Sequence, residues 1–220
     1  MQPAQKPDDR HPLFVFGGPY SNLQATEAAL RAARARQIPA SNIICTGDVV
    51  AYAGDPEASV QLIRDSGITV VAGNCEEQLA EAADDCGCGF EEGSACDALS
   101  KRWYAFADAQ VTAASRAWMK QLPTYLTFAY NGLTIAVVHA TRASNNDFIF
   151  ASQSEQIASA FAACHADIVF AGHSGTPFIT PVGAGAWVNA GVVGVPANDG
   201  TTDGWFAVLE PGDDHYAIRI

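Results

Sequence analysis

Four residues of this chain have the types and the placement to hold a transition metal together: Asp48, Asn74, His139 and His173. Each follows a short apolar run, in IICT-Gly47-Asp48, TVVA-Gly73-Asn74, IAVV-His139 and IVFA-Gly172-His173. A carboxylate, a carboxamide and two imidazoles make a donor set that suits Mn, Fe or Zn. Taken singly, each has an ordinary explanation. Asp48 could form a turn, Asn74 could cap a helix beginning near Glu76, and His139 could be a satisfied core histidine. Their common position at the ends of apolar runs is harder to explain that way. A fifth run, FVF-Gly17-Gly18-Pro19-Tyr20, ends in the same style. In open α/β sheets ligands bind beyond the carboxyl ends of the strands, so these five tips should converge on one pocket.

The elements that must position them alternate between short β-branched runs and Ala-rich helical stretches, an α/β pattern. Strands are expected at Leu13–Phe16, Ile43–Cys45 and Ile68–Ala72, with helices from Asn22 to Arg36 and from Pro56 to Ser66 between them. A helix over Glu76–Ala83 breaks at an acidic, Gly- and Cys-rich loop, residues 84–97. Two more helical pieces lie around Leu99–Ala107 and Ser115–Leu122. Beyond Pro123 the pattern changes: Tyr125–Ala129 and Leu133–His139 flank Asn131-Gly132, a two-residue hairpin signal. A helix at Ser154–Cys164 and a strand at Ile168–Ala171 follow. Short strands are expected at Phe178–Pro181, Ala186–Asn189, Trp205–Leu209 and Tyr216–Ile220. Helical crossovers first and hairpins later predict two packed, mostly mixed β-sheets flanked by helices. The domain reading is a loose tail over residues 1–12 and a single domain over residues 13–220.

Composition narrows the function. Hydrophobic residues are 49% of the 220 and charged residues only 16%, which describes a chain with a buried core. Twelve Lys and Arg against 24 Asp and Glu give 12 − 24 = −12. That field opposes nucleic acid and anionic membranes, and no basic run offsets it. No apolar stretch reaches the ~18–20 residues that span a bilayer, and the polar start does not read as a signal peptide. The expectation is a cytoplasmic protein with no nucleic-acid or membrane partner, its six cysteines mostly reduced; oligomeric state is not readable.

From Leu13 to Leu209 the sequence resembles the calcineurin-like metallophosphoesterases, in particular the compact bacterial and archaeal phosphodiesterase branch. The resemblance rests on Ser21-Asn22-Leu23, Gly47-Asp48-Val49-Val50-Ala51-Tyr52, Gly73-Asn74-Cys75-Glu76 and Val138-His139. It continues through Gly172-His173-Ser174-Gly175-Thr176-Pro177-Phe178 and Val188-Asn189-Ala190-Gly191-Val192-Val193-Gly194. It implies a four-layer sandwich and a binuclear metal site at the strand tips. The family's second metal would be held by Asp48, Asn74, His139 and His173, all present. Of the first metal's ligands, three fall on Gly18, Tyr20 and Gly175, which are not ordinary ligands. The resemblance therefore implies half of a binuclear site: one divalent transition metal (Mn, Fe or Zn) and a metal-activated water as nucleophile, with no protein base assigned. The substrate would be a small phosphorylated molecule.

The cysteines leave other readings open. Cys75 follows Asn74 directly, and the loop supplies Cys86, Cys88 and Cys96 at a spacing that matches no standard zinc or iron–sulfur pattern. One short helix separates Asn74 from Cys86, so the loop can return to the strand tips. A second, thiolate-held metal is one possibility there, a redox-active loop another, and a solvated surface loop a third. Cys45 and Cys164 read as structural. Gly172-His173-Ser174-Gly175-Thr176 lacks the last glycine of a nucleophile elbow, so a serine hydrolase is disfavoured. Arg142, Asn145 and Asn146 either contact phosphate or shape a loop. The leading reading is a metal-dependent phosphoesterase-like hydrolase; the rivals are a non-catalytic metal- or ligand-binding protein and a thiol-dependent one.

Overall fold

The computed structural model describes residues 6–197, 200–211 and 217–220. Two five-stranded sheets face each other. The first is built from β1 (Leu13–Phe16), β2 (Ile43–Cys45), β3 (Thr69–Val70), β9 (Ala207–Glu210) and β10 (Ala217–Arg219), in the order β10-β9-β1-β2-β3. The second contains β4 (Tyr125–Tyr130), β5 (Leu133–Val138), β6 (Ile168–Ala171), β7 (Phe178–Val182) and β8 (Gly185–Asn189), in the order β4-β5-β6-β8-β7. In each sheet three parallel strands carry antiparallel neighbours: β9 on β1, β4 on β5, β7 on β8.

The period-2 alternation of these strands sorts their side chains between layers. Leu13, Val15, Ile44 and Val71 point to the second sheet, where they meet Ile135, Val137, Ile168, Phe170 and Val188. The intervening Phe14 and Phe16 turn the other way, into a core with α1 (Leu23–Ala35), α2 (Pro56–Asp65), α3 (Asn74–Glu81), α4 (Ala95–Gln110) and α5 (Ala113–Met119). On the far side of the second sheet, Ala136, Val138, Val169 and Trp187 pack under α6 (Ser154–Cys164). The result is helix, sheet, sheet, helix.

Local chemistry sets the boundaries. Asn22 caps α1 by accepting from Ala25 N at 3.0 Å, and Pro56 opens α2. Asn131 and Gly132 both have positive φ (48° and 77°), as a tight hairpin between β4 and β5 requires. The expected strand Ile68–Ala72 pairs over only two residues, because Ala72 N turns away to Pro123 O (2.8 Å). Tyr216 of the last expected strand lies outside the described residues, as do residues 1–5 of the expected tail. Looseness does not extend over Asp8–His11: Asn42 donates to the carbonyls of Asp8 (2.8 Å) and His11 (2.9 Å), and Tyr130 OH donates to His11 O (2.6 Å). No helix among the described residues is long and apolar enough to cross a membrane.

Candidate metal centre

The carboxyl ends of β2, β3, β5 and β6 deliver Asp48, Asn74, His139 and His173 to one buried spot between the sheets. His139 Nε2 is its centre, 3.3 Å from Asp48 Oδ2, 3.1 Å from Asn74 Oδ1 and 3.1 Å from His173 Nδ1. On the other side of the ring, His139 Nδ1 faces Thr46 O at 2.7 Å. A carbonyl can only accept, so Nδ1 carries the proton, and in the neutral ring Nε2 presents a lone pair. In the His173 tautomer whose proton sits on Nε2, four lone-pair atoms face one another, and a cation at their focus, either a second proton on His139 or a metal, satisfies all of them; in the other tautomer His173 Nδ1 donates to His139 Nε2. Tetrahedral ligands at about 2.0–2.2 Å from a zinc-like ion stand about 3.3–3.6 Å apart, and the three separations from His139 Nε2, at 3.1–3.3 Å, lie near that range. A ligating histidine held by a backbone carbonyl on its other nitrogen is also the usual supporting arrangement. The donor set fits a metal.

Electrostatics agree. Burial opposes charge on His139, but the Asp48 carboxylate outweighs it and raises the pKa. Burial likewise works against the Asp48 carboxylate, and His139 prevails in lowering its pKa. Burial, and then His139, push His173 down to about 4, which leaves it a neutral donor. Among the described residues Asp48, His139 and His173 offer a cluster of ligand atoms all within 4.8 Å of one another.

The backbone is bent to achieve this. Asp48 and His173 both have positive φ (54° and 58°), as do Tyr20 (51°) and Ser21 (56°), a concentration of left-handed non-glycine residues typical of functional sites. Gly47, at φ 99°, permits a close approach of the two loops: a Cβ there would stand 2.5 Å from Gly73 N and 2.9 Å from His139 Nδ1. Glu76 clamps the two loops together. Its wholly buried carboxylate accepts from Asp48 N (2.8 Å), Val49 N (2.8 Å) and Gly73 N (2.9 Å), the last being half of a capping box at the start of α3. Asn74 begins that helix but does not cap it; its side-chain oxygen is turned to His139 Nε2.

Around Gly18, where the resemblance would place a first metal, side chains fill the space. The ring of Tyr20 folds over Gly18, where a Cβ would meet Tyr20 Cζ at 2.8 Å and Val192 Cγ1 at 2.5 Å. The Tyr20 hydroxyl comes within 3.8 Å of where a Cβ on Gly175 would be. Tyr52 meets Tyr20 edge-on at 4.9 Å between centroids, and Trp103 follows at 5.3 Å. Burial and then Asp48 drive the Tyr20 phenol well above its ordinary pKa, so it stays protonated.

The cysteine loop borders the same cavity, of ≈ 400 Å³, which Tyr20, Asp48, Cys75, Cys88, Phe90 and Cys96 help to line. Cys86 and Cys88 are joined in a disulfide. That corrects one expectation, since in this state the pair offers no thiolate to a second metal; the other four cysteines are free. Cys75 is a buried free thiol and Cys96 an exposed one. Arg142 donates to Ala163 O in the last turn of α6, Asn145 to Ala72 O beyond β3, and Asn146 to Gly87 O in the cysteine loop. Ser174 Oγ accepts from Asn189 (2.9 Å) and has no histidine bonded to it among the described residues, which leaves no nucleophile–base pair.

Several supporting residues carry no sequence signal. Thr46 acts through its carbonyl, and Val192 and Phe148 act through shape, the Phe148 ring lying 4.4 Å from that of His173. Glu76 had one: an acid three residues beyond Gly73 at a helix start.

A family profile for the calcineurin-like phosphoesterase superfamily domain matches residues 9–214. Among solved structures the chain is similar to a hypothetical protein from Pyrococcus horikoshii, at 16% identity and TM-score 0.74, with 94% of this chain and 86% of that one covered. A metallophosphoesterase from Sphaerobacter thermophilus is similar at 21% identity and TM-score 0.70 over the same shares. Wild-type Vps29 of Entamoeba histolytica complexed with zinc is similar at 16% identity and TM-score 0.52, with 94% and 89% covered. No curated protein matches the sequence.

Proposed function

This chain belongs to the calcineurin-like phosphoesterase superfamily, and on that premise we propose that it hydrolyses a small phosphoester with one divalent transition metal held by Asp48, Asn74, His139 and His173. The observation that carries the reading is the convergence of Asp48 Oδ2, Asn74 Oδ1 and His173 Nδ1 on His139 Nε2, in a ring whose tautomer Thr46 fixes. When bound, such an ion polarises the phosphoryl group and activates water. The chain's own residues bring the ester to it. Phe90, Phe148, Val192 and Pro196 give the cavity apolar walls, and its ≈ 400 Å³ suits a small molecule. No Lys or Arg lines it among the described residues. With a net charge of −12, the metal is then the main cation available to a phosphate, which favours a singly charged phosphodiester over a monoester. Ser174 and the Tyr20 phenol are donors able to reach an ester oxygen from the rim.

Hydrolysis of bis(p-nitrophenyl) phosphate with added manganese tests this. Activity should exceed that on p-nitrophenyl phosphate and disappear in His139→Ala and His173→Ala. The non-catalytic reading has one observation in its favour, the hydrocarbon filling of the vacated half by Tyr20 and Val192. Metal-loaded protein that hydrolyses neither ester would select it.

A further inference from the structure

The phosphoesterase reading leaves the Cys86–Cys88 disulfide without a role, although the bond stands against one of the ligands. Asn74 is the link. Its Nδ2 donates to Cys86 O at 2.8 Å and lies 3.5 Å from both Cys88 Sγ and Cys75 Sγ, while its Oδ1 faces His139 Nε2 at 3.1 Å. The two ends of a planar amide cannot be aimed independently. Where the Cys86 carbonyl holds Nδ2 therefore decides where Oδ1 points. That carbonyl belongs to a segment in which glycine alternates with cysteine, with Gly87 and Gly89 at φ 63° and 74°. Gly87 is tethered by Asp85 Oδ1 (2.7 Å) and by Asn146 Nδ2 (3.1 Å). The covalent bond adds the constraint that such a glycine-rich segment otherwise lacks. Access also exists: Cys88 is buried against the protein but lines the metal cavity.

We propose that Cys86 and Cys88 form a thiol–disulfide site, reduced by a dithiol that enters through the metal cavity, and that its oxidation state sets metal affinity by fixing or releasing Asn74. The proposal rests on the metal-site reading above. In the exchange a thiolate of the incoming dithiol attacks Cys88 Sγ, the bond to Cys86 breaks, and Cys86 leaves as a thiolate that takes up a proton. The second thiol of the reductant then displaces Cys88 from the mixed disulfide. The products are two protein thiols and one oxidised dithiol, so two electrons and two protons pass to the protein. Metal bound tightly in the oxidised state is held less tightly once the Cys86 carbonyl can move.

The test uses the full chain in three states: oxidised with glutathione disulfide, reduced with dithiothreitol that is then removed, and reoxidised. Thiol titration of the unfolded protein should give four free thiols oxidised and six reduced, with peptide mapping placing the bond between Cys86 and Cys88. Manganese is the probe because thiolates favour it little. Its affinity by calorimetry should fall about 10–100-fold on reduction, the usual cost of losing an orienting partner of a ligand, and recover on reoxidation. Cys86→Ser/Cys88→Ser should bind weakly with or without reductant. Affinity that is unchanged or higher in the reduced wild type, or a mapped bond between other cysteines, overturns the proposal. Manganese that binds in neither state overturns the metal site itself, and this inference with it.

Discussion

Replacing Tyr20 with alanine separates two ideas about the vacated half of the centre, a packed wall or a reserve ligand. The ring is 6% exposed, covers Gly18, and meets Tyr52 edge-on. Alanine keeps a Cβ, so the positive φ at position 20 is as strained as before and the change reports on the side chain alone. Truncating a buried aromatic costs about 3–5 kcal/mol; one face of this ring borders the cavity, so the lower figure, about 3 kcal/mol, applies. In a domain of this size each kcal/mol is worth roughly 2–4 °C, which gives a fall in Tm of about 6–12 °C. Thermal denaturation of the metal-free protein followed by circular dichroism measures it, and metal content of the loaded variant is measured alongside. The expected pair of results is a lowered Tm with metal content unchanged. A Tm within a degree or so of wild type, or loss of the metal, would refute the packed-wall reasoning.

Glu76→Ala should destabilise the chain by about 3 kcal/mol or more, since three buried N–H groups lose their acceptor at about 1–3 kcal/mol each; urea unfolding checks it. Manganese at a hundred times its dissociation constant should stabilise the wild type by about 2.7 kcal/mol and leave His139→Ala unshifted in a thermal melt. The variant Gly18→Asp/Tyr20→His/Gly175→His restores the family's ligand types, yet a side chain at 18 meets Val192 Cγ1. It should therefore gain no second metal in elemental analysis until Val192→Gly is added.

Much of the fold is legible because its signals are local. Asn22, Pro56 and Asn131-Gly132 mark boundaries through caps and turns, and β-branched runs mark the strands. Where a boundary is set from far away it is lost: β3 ends early because Ala72 bonds to Pro123, fifty-one positions on. The convergence of Asp48, Asn74, His139 and His173 could be anticipated because they sit at strand tips that any such sheet brings together. The filling of the vacated half could not. Absent ligands at 18, 20 and 175 predict a space, but Tyr20 lies in it only because the backbone turns left-handed there, and Val192 reaches it from a different sheet's tip. The Cys86–Cys88 bond is not legible in the sequence for a related reason. Compartment arguments speak to cysteines in general, while this pair is brought together by a glycine turn.

Counting metal decides whether one ion sits in a half-site whose other half Tyr20 and Val192 occupy. Elemental analysis of manganese- or zinc-loaded protein, after exchange into metal-free buffer, should find about one ion per chain in the wild type and a large loss in Asp48→Ala. Two ions per chain in the wild type, or one retained undiminished in Asp48→Ala, would contradict it.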